Sequence, residues 1–251
     1  MTEILLLLIA GFVGGMLNAV AGGGTFITFP ALVFVGVPVV SANATSTVAA
    51  LPGYLSAAIG FRREIARLPR RLFLRLTVLT MAGGSAGSAL LLVSSNEAFA
   101  VLVPFLLLAA TLVFMAGGRL RDFASRYRGG VAAFGAGTMI PVAVYGGYFN
   151  GGLGIVLLAL FALWGMTDLV EMNGLKTWLS FALSMISLGI FAAGGQVAWW
   201  PALWVAGGTI IGGYMGAPVA RSIPAPVLRG LIAVVGFGMT ALFFWRLASG
   251  A

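Results

Sequence analysis

Residues 11–50 read GFVGGMLNAVAGGGTFITFPALVFVGVPVVSANATSTVAA. The stretch is apolar enough to sit in a bilayer, yet Gly22, Gly23 and Gly24 follow one another and Pro30 and Pro38 interrupt it. Small polar residues are set into it: Asn18, Thr25, Thr28, Ser41, Asn43, Thr45 and Ser46. A chain that only had to span lipid would not carry so many helix breakers. Non-helical backbone is tolerated at membrane depth only where protein buries it or where it lines a cavity. The stretch therefore predicts a site inside a membrane protein.

The rest of the chain agrees with that class. Of 251 residues, 61% are hydrophobic and 8% charged, with no His and no Cys. A spanning helix needs about 20 apolar residues, and most of the chain consists of such runs. Membrane helices also use small residues where backbones approach closely, which suits the 37 glycines. The absence of Cys and His excludes thiolate chemistry, Cys/His metal sites, haem ligation by those residues and disulfides, and no cofactor is expected. The N-terminus, MTEILLLLIAGF, has an acidic Glu3 and no basic n-region. It reads as a retained first helix, not a cleaved signal peptide.

Ten apolar segments can be marked, at about 4–21, 25–40, 43–61, 72–93, 98–117, 131–149, 153–166, 174–193, 198–218 and 227–247. Eight are long enough to cross a bilayer. The second and seventh are short or broken and could be re-entrant. Ten of the 14 basic residues fall in two clusters. One holds Arg62, Arg63, Arg67, Arg70, Arg71 and Arg75; the other holds Arg119, Arg121, Arg126 and Arg128. Two long segments separate them, so both lie on one side, and the positive-inside rule makes loops 62–75 and 119–128 cytoplasmic. The net charge of +8 thus belongs to topology and lipid headgroups, with no nucleic acid implied. Eight crossings place both termini in the cytoplasm; ten place both outside.

The chain repeats itself. Gly14-Gly15-Met16-Leu17-Asn18 matches Gly146-Gly147-Tyr148-Phe149-Asn150 at an offset of 132. Asn43-Ala44-Thr45-Ser46 lines up with Asn173-Gly174-Leu175-Lys176 at 130, and the glycines from Gly83 to Gly87 match Gly212 to Gly216 at 129. The fold expected is an all-α polytopic membrane protein of two homologous repeats, 1–118 and 130–251, joined by a basic linker, 119–129. Five crossings per half would invert one repeat against the other. Secondary transporters are commonly built this way, with the site near the midplane where broken helices meet.

Each motif has a structural and a functional reading. The glycine pairs at 83–87 and 212–216 read as helix-packing faces. The break at Gly22, Gly23 and Gly24, between Asn18 and Thr25, is either a kink or a fresh helix start whose N–H groups bind an anion. Asn150, Gly151 and Gly152 repeat it. Asn43, Thr45 and Ser46 either cap a helix or face a substrate. Lys176 is the only lysine and falls near the expected start of segment 174–193, where the helix dipole disfavours a cation. Either Asp168 or Glu171 compensates it, or a bound anion does. Those two carboxylates could also carry a coupling proton if they face the cavity.

The stretch GGMLNAVAGGGTFITFPALVFVGVPVVSANATS (14–46), with its degenerate copy GGYFNGGLGIVLLALFALWGMTDLVEMNGLK (146–176), resembles the TauE/SafE family of sulfite and organosulfonate exporters. The resemblance covers essentially the whole chain. It implies transport of a small anion across the bacterial cytoplasmic membrane. Thiosulfate importers that rely on cysteine are a poor match. The site expected comprises Asn18, Gly22, Gly23, Gly24, Thr25, Asn43, Thr45, Ser46, Asn150, Gly151, Gly152 and Lys176. Its partners would be the anion and the bilayer, with a homodimer left open. A passive anion channel and a scaffold without flux are the alternatives. An intramembrane enzyme is hard to assemble without His or Cys and with six acidic residues.

Overall fold

The computed structural model describes residues 2–20, 22–126, 134–220 and 225–249. Among them, all regular structure is helical: α1 (Thr2–Val20), α2 (Thr25–Phe34), α3 (Val39–Gly60), α4 (Arg62–Arg67), α5 (Arg70–Leu92), α6 (Asn96–Arg126), α7 (Ala136–Tyr148), α8 (Leu153–Leu163), α9 (Leu169–Ala193), α10 (Trp199–Ala220) and α11 (Ala225–Ser249). Stretches of α1, α5, α6 and α9 are long and apolar enough to cross a membrane. Large apolar side chains such as Leu5, Val78, Phe105, Leu112, Ile211 and Trp245 stand exposed around the bundle. A water-soluble monomer rarely leaves so much apolar surface uncovered; a lipid-facing one needs it. The molecule is a multi-pass membrane protein.

Several boundaries differ from the sequence expectation. The first basic cluster is not a loop: Arg62–Arg67 form α4, and Pro69 starts α5 at Arg70. α6 continues through Arg126, so the expected linker begins as helix; residues 127–129, with Arg128, lie outside the described residues, as does Arg221. α3 starts at Val39 behind Pro38, so Asn43, Thr45 and Ser46 stand inside the helix and cap nothing. α9 starts at Leu169, which places Lys176 two turns in. The dipole argument at a first turn therefore does not apply to it. α7, with 13 residues, is shorter than expected.

The two short helices stop in the same way. Gly36 after α2 and Gly165 after α8 adopt φ +87° and +89°, a left-handed conformation that costs glycine nothing. In each case the next N–H closes on the helix: Val37 N–H donates to the Leu32 carbonyl at 3.1 Å, and Met166 N–H to the Phe161 carbonyl at 3.0 Å. This satisfies a carbonyl that the helix end would otherwise orphan.

α1 and α2 form an antiparallel hairpin, with Gly24 against Asn18 and Gly14 against Thr28. α7 and α8 form another, with Gly146 against Leu153 and the Trp164 Nε1–H donating to Thr138 Oγ1 at 3.3 Å. Around them the long helices sort by direction. α1, α3 and α10 run parallel: Gly11 meets Val205, Met16 meets Gly216, and Thr209 donates to the Ala49 carbonyl. α5, α7 and α9 also run parallel: Gly83 meets Ile140, Gly87 meets Val144, and Thr77 bonds Trp178 near one end while Leu92 meets Gly194 at the other. The two trios point in opposite directions. Ser41 at the start of α3 bonds Gln196 just past the end of α9, and Phe61 at the end of α3 packs on Gly174 near the start of α9. Phe29, Phe99, Phe149 and Phe243 pack edge and face between α2, α6, α7 and α11.

The glycine faces set the closest approaches. A Cβ on Gly212 would overlap the Phe12 carbonyl, whereas one on Gly207 would meet only the Leu8 Cδ2 at 3.7 Å. Overpacking a tight contact costs about 1–3 kcal/mol. Gly212→Val should therefore lower the thermal midpoint in detergent markedly, and Gly207→Val should leave it nearly unchanged. Equal shifts for the two would contradict this packing.

Candidate functional site

The two hairpins are broken at their tips, and the tips touch. Gly22 (φ +80°) lies so close to Gly154 that a Cβ on either would overlap the other's Cα. Gly154 follows Asn150 by four residues, as Gly22 follows Asn18. Asn18 holds the first break in shape: its Oδ1 accepts from the Gly24 N–H at 2.8 Å. The second break turns on Asn150 (φ 60°) and Gly152 (φ +72°), with the Tyr145 hydroxyl donating to the Gly151 carbonyl. Gly151 lies under the Phe149 ring, and Gly152 near Phe26 and Ala110.

Lys176 reaches this junction from α9. Its stem passes Gly154 so closely that a Cβ there would lie 3.1 Å from the Lys176 Cδ. Its Nζ donates to the Asn173 Oδ1 at 2.8 Å and to the Asn18 carbonyl at 3.4 Å. An ammonium has three donors, so two are taken, both by neutral oxygens. The side chain is 1% exposed. Among the described residues no carboxylate pairs with it. Asp168 is an exposed N-cap of α9, its Oδ1 accepting from Val170 and Glu171 N–H at 2.8 and 3.2 Å, and Glu171 sits in the same first turn. The ion pair with Asp168 or Glu171 considered from the sequence is not formed. An isolated buried charge costs several kcal/mol, so a charged Lys176 would need a negative partner here.

α3 supplies the opposite wall. Ser46 Oγ and Thr28 Oγ1 share a 2.6 Å hydrogen bond, and Thr28 also donates to the Gly24 carbonyl at 3.3 Å. Thr47 Oγ1 donates to the Asn43 carbonyl at 3.0 Å and accepts from Asn150 Nδ2 at 3.5 Å, and the Tyr54 hydroxyl lies beside the Asn150 side chain. Asn43 Nδ2 donates to the Tyr148 carbonyl at 2.8 Å. Two buried oxygens, Asn43 Oδ1 and Asn150 Oδ1, have no hydrogen-bond partner among the described residues. Leaving such a group dry costs about 1–3 kcal/mol, which suits an interior that a polar guest or water enters.

The structure thus gathers Asn18, Gly22, Gly24, Ser46, Asn43, Asn150 and Lys176 around the touching tips. Gly23 and Thr25 are buried at the same break. Thr45 is not part of it: its Oγ1 accepts from the Ala198 N–H at 2.9 Å, tying α3 to the turn before α10. Sequence reading missed Thr28, Thr47, Tyr54, Asn173 and Gly154. Thr47 and Thr177 stand at the same offset as Ser46 and Lys176, and Gly154 at the same offset as Asn150, so the repeat register itself carried that signal.

The polar cluster is buried, and cavities open at either end of α3. One, of about 350 Å³, lies at its start between Ser41 and Gln196. The other, of about 660 Å³, lies at its end and is lined by Ser56, Phe61, Arg62, Arg63, Val170 and Tyr214, among others.

Comparison with known proteins supports a membrane transporter. The sequence profile of the family described as "Sulfite exporter TauE/SafE" matches residues 7–243. The chain is 32% identical over 238 residues to a probable membrane transporter protein of Haemophilus influenzae, covering 94% of this chain and 92% of that one. It is 26% identical over 235 residues to the probable membrane transporter protein ORF9 of a Sinorhizobium species, covering 93% and 89%. It is 28% identical over 240 residues to the probable membrane transporter protein YfcA of Escherichia coli K12, covering 94% and 87%. No solved structure matches the chain. With the profile spanning nearly its whole length, this chain belongs to the TauE/SafE family, a family of membrane transporters.

Proposed function

We propose that the protein is a secondary transporter that exports a small anion, of the sulfite or organosulfonate class, across the bacterial cytoplasmic membrane. The observation that carries the reading is Lys176, a buried lysine with amide and carbonyl neighbours and, among the described residues, no carboxylate, placed where two broken hairpins meet. The anion supplies the missing charge. Ser46, Thr28, Asn18 and Asn150 offer hydroxyls and amides to its oxygens, and the glycine breaks bring backbone N–H groups within reach.

Alternating access follows from two inverted repeats. Exchanging the halves maps α1 onto α7, α3 onto α9 and α10 onto α5, which turns one parallel trio into the other with its direction reversed. The hairpin α1–α2 then enters from one face and α7–α8 from the other. The arginines of α4 and early α5 make their end the cytoplasmic face, and the termini lie opposite. Rocking one trio against the other opens the cavity at Ser41 or the one at Ser56 in turn, around a fixed midplane site.

Two experiments test this. Counterflow of labelled sulfite and sulfoacetate in proteoliposomes should fall about tenfold or more in Lys176→Ala, the cost of losing one charge-assisted bond to the anion. Equal flux in both proteins would remove Lys176 from the mechanism, and unsaturable current in planar bilayers would replace the carrier with a channel. The natural chain has no Cys, so single cysteines report topology cleanly. Ser41→Cys and Ser56→Cys should react with a membrane-impermeant thiol reagent from opposite faces of a vesicle, and Ser46→Cys should be protected from both. Labelling of positions 41 and 56 from one face would contradict the orientation.

A further inference from the structure

The 660 Å³ cleft at the end of α3 is more than the far side of a closed site. Arg62 and Arg63 stand exposed on its rim. Inward, its wall is formed by Ser56, Ala57 and Gly213. Gly213 packs on the Gly53 backbone, and the next residue, Tyr54, lies beside Asn150 of the polar cluster. The cleft therefore runs from two guanidinium groups to Ala57, one helical turn from Tyr54. Ser56 spends its hydroxyl on the Gly53 carbonyl at 2.9 Å, so the inner wall offers little to hold an anion. The rim does. Glu64 also lines the cleft, and two arginines against one glutamate leave the rim with a net positive charge.

Arginines that serve topology alone gain nothing from facing a cleft; any position at that end of the bundle would do. Arg67, Arg70 and Arg71 are equally exposed and do not line it. A cleft walled by low-dielectric helices and carrying a net charge focuses the field and raises the local concentration of the opposite ion.

Resting on the reading of Lys176 as the anion site, we infer that this cleft is the cytoplasmic vestibule of the transporter, and that Arg62 and Arg63 form an outer recruiting site for the oxyanion before it passes Tyr54. The two guanidinium groups collect the anion from the cytoplasm, and Lys176 receives it. Arg62 and Arg63 act on capture, not on the transporting step.

The test is initial-rate transport of labelled sulfite in proteoliposomes of neutral lipid, substrate being presented to the arginine-bearing face. Arg62→Gln/Arg63→Gln should raise KM about threefold to tenfold at low ionic strength with the maximal rate retained, and the difference should fade at high salt, as screened steering requires. Arg67, Arg70, Arg71 and Arg75 remain to hold the topology. Arg62→Lys/Arg63→Lys should recover most of the KM, which separates lost charge from lost folding. Arg70→Gln/Arg71→Gln removes the same charge outside the cleft and should change KM less than about twofold. An unchanged KM in the first variant, or an equal rise in the last, overturns the vestibule while leaving the site at Lys176 intact. A KM effect that appears only when anionic lipid is added assigns the arginines to a lipid headgroup and also overturns it. Absence of anion flux in the wild-type protein removes the reading of the central site, and the vestibule with it.

Discussion

The arrangement depends on one buried lysine. Lys176 is held by a side-chain amide oxygen and a main-chain carbonyl, with no opposing charge among the described residues. For it to reach the carbonyl of Asn18, two constraints must be met at once. α1 must stop short and turn so that Asn18 lies at a break, and α8 must carry no side chain at Gly154, over which the lysine stem runs. The glycines at the two tips are thus not simply flexible points. Gly22 and Gly154 are the only residue type that lets the hairpins touch and the lysine pass.

From that junction the rest of the fold can be read outward. The hairpins point at each other from opposite ends of the bundle and are held by trios of parallel helices. Gly212 and Gly208 clamp α10 on α1, and Gly83 and Gly87 clamp α5 on α7. Such backbone contact makes each trio stiff. Between the trios, α3 packs along α9, with Phe61 on Gly174, and polar bonds join Asn43 to Tyr148, Asn150 to Thr47 and Ser41 to Gln196.

Much of this was legible in the sequence, and the reasons are physical. Hydropathy and glycine breaks marked every apolar segment because bilayer spanning and helix breaking are local demands. The sequence offsets pointed to both breaks because each carries a glycine four residues after an asparagine, Gly22 after Asn18 and Gly154 after Asn150. Boundaries were less legible. Asn43 to Ser46 looked like a helix start because Pro38 lies five residues earlier in an apolar run, and a proline cap leaves no polar signature. α9 extended back to Leu169 because Asp168 caps it, a local bond that hydropathy does not register. Least legible was what faces what. Thr45 and Ser46 are adjacent, yet one ties off a turn at Ala198 and the other meets Thr28. Only the packing of α3 between α2, α9 and α10 separates them.

The most direct measurement is the location of a bound anion. A crystal of the protein with 2-bromoethanesulfonate gives an anomalous bromine signal that no protein atom imitates. The account predicts a peak beside Lys176, between Asn18, Ser46 and Asn150. Saturating ligand with no peak there, or peaks only at the outer surface, would contradict it.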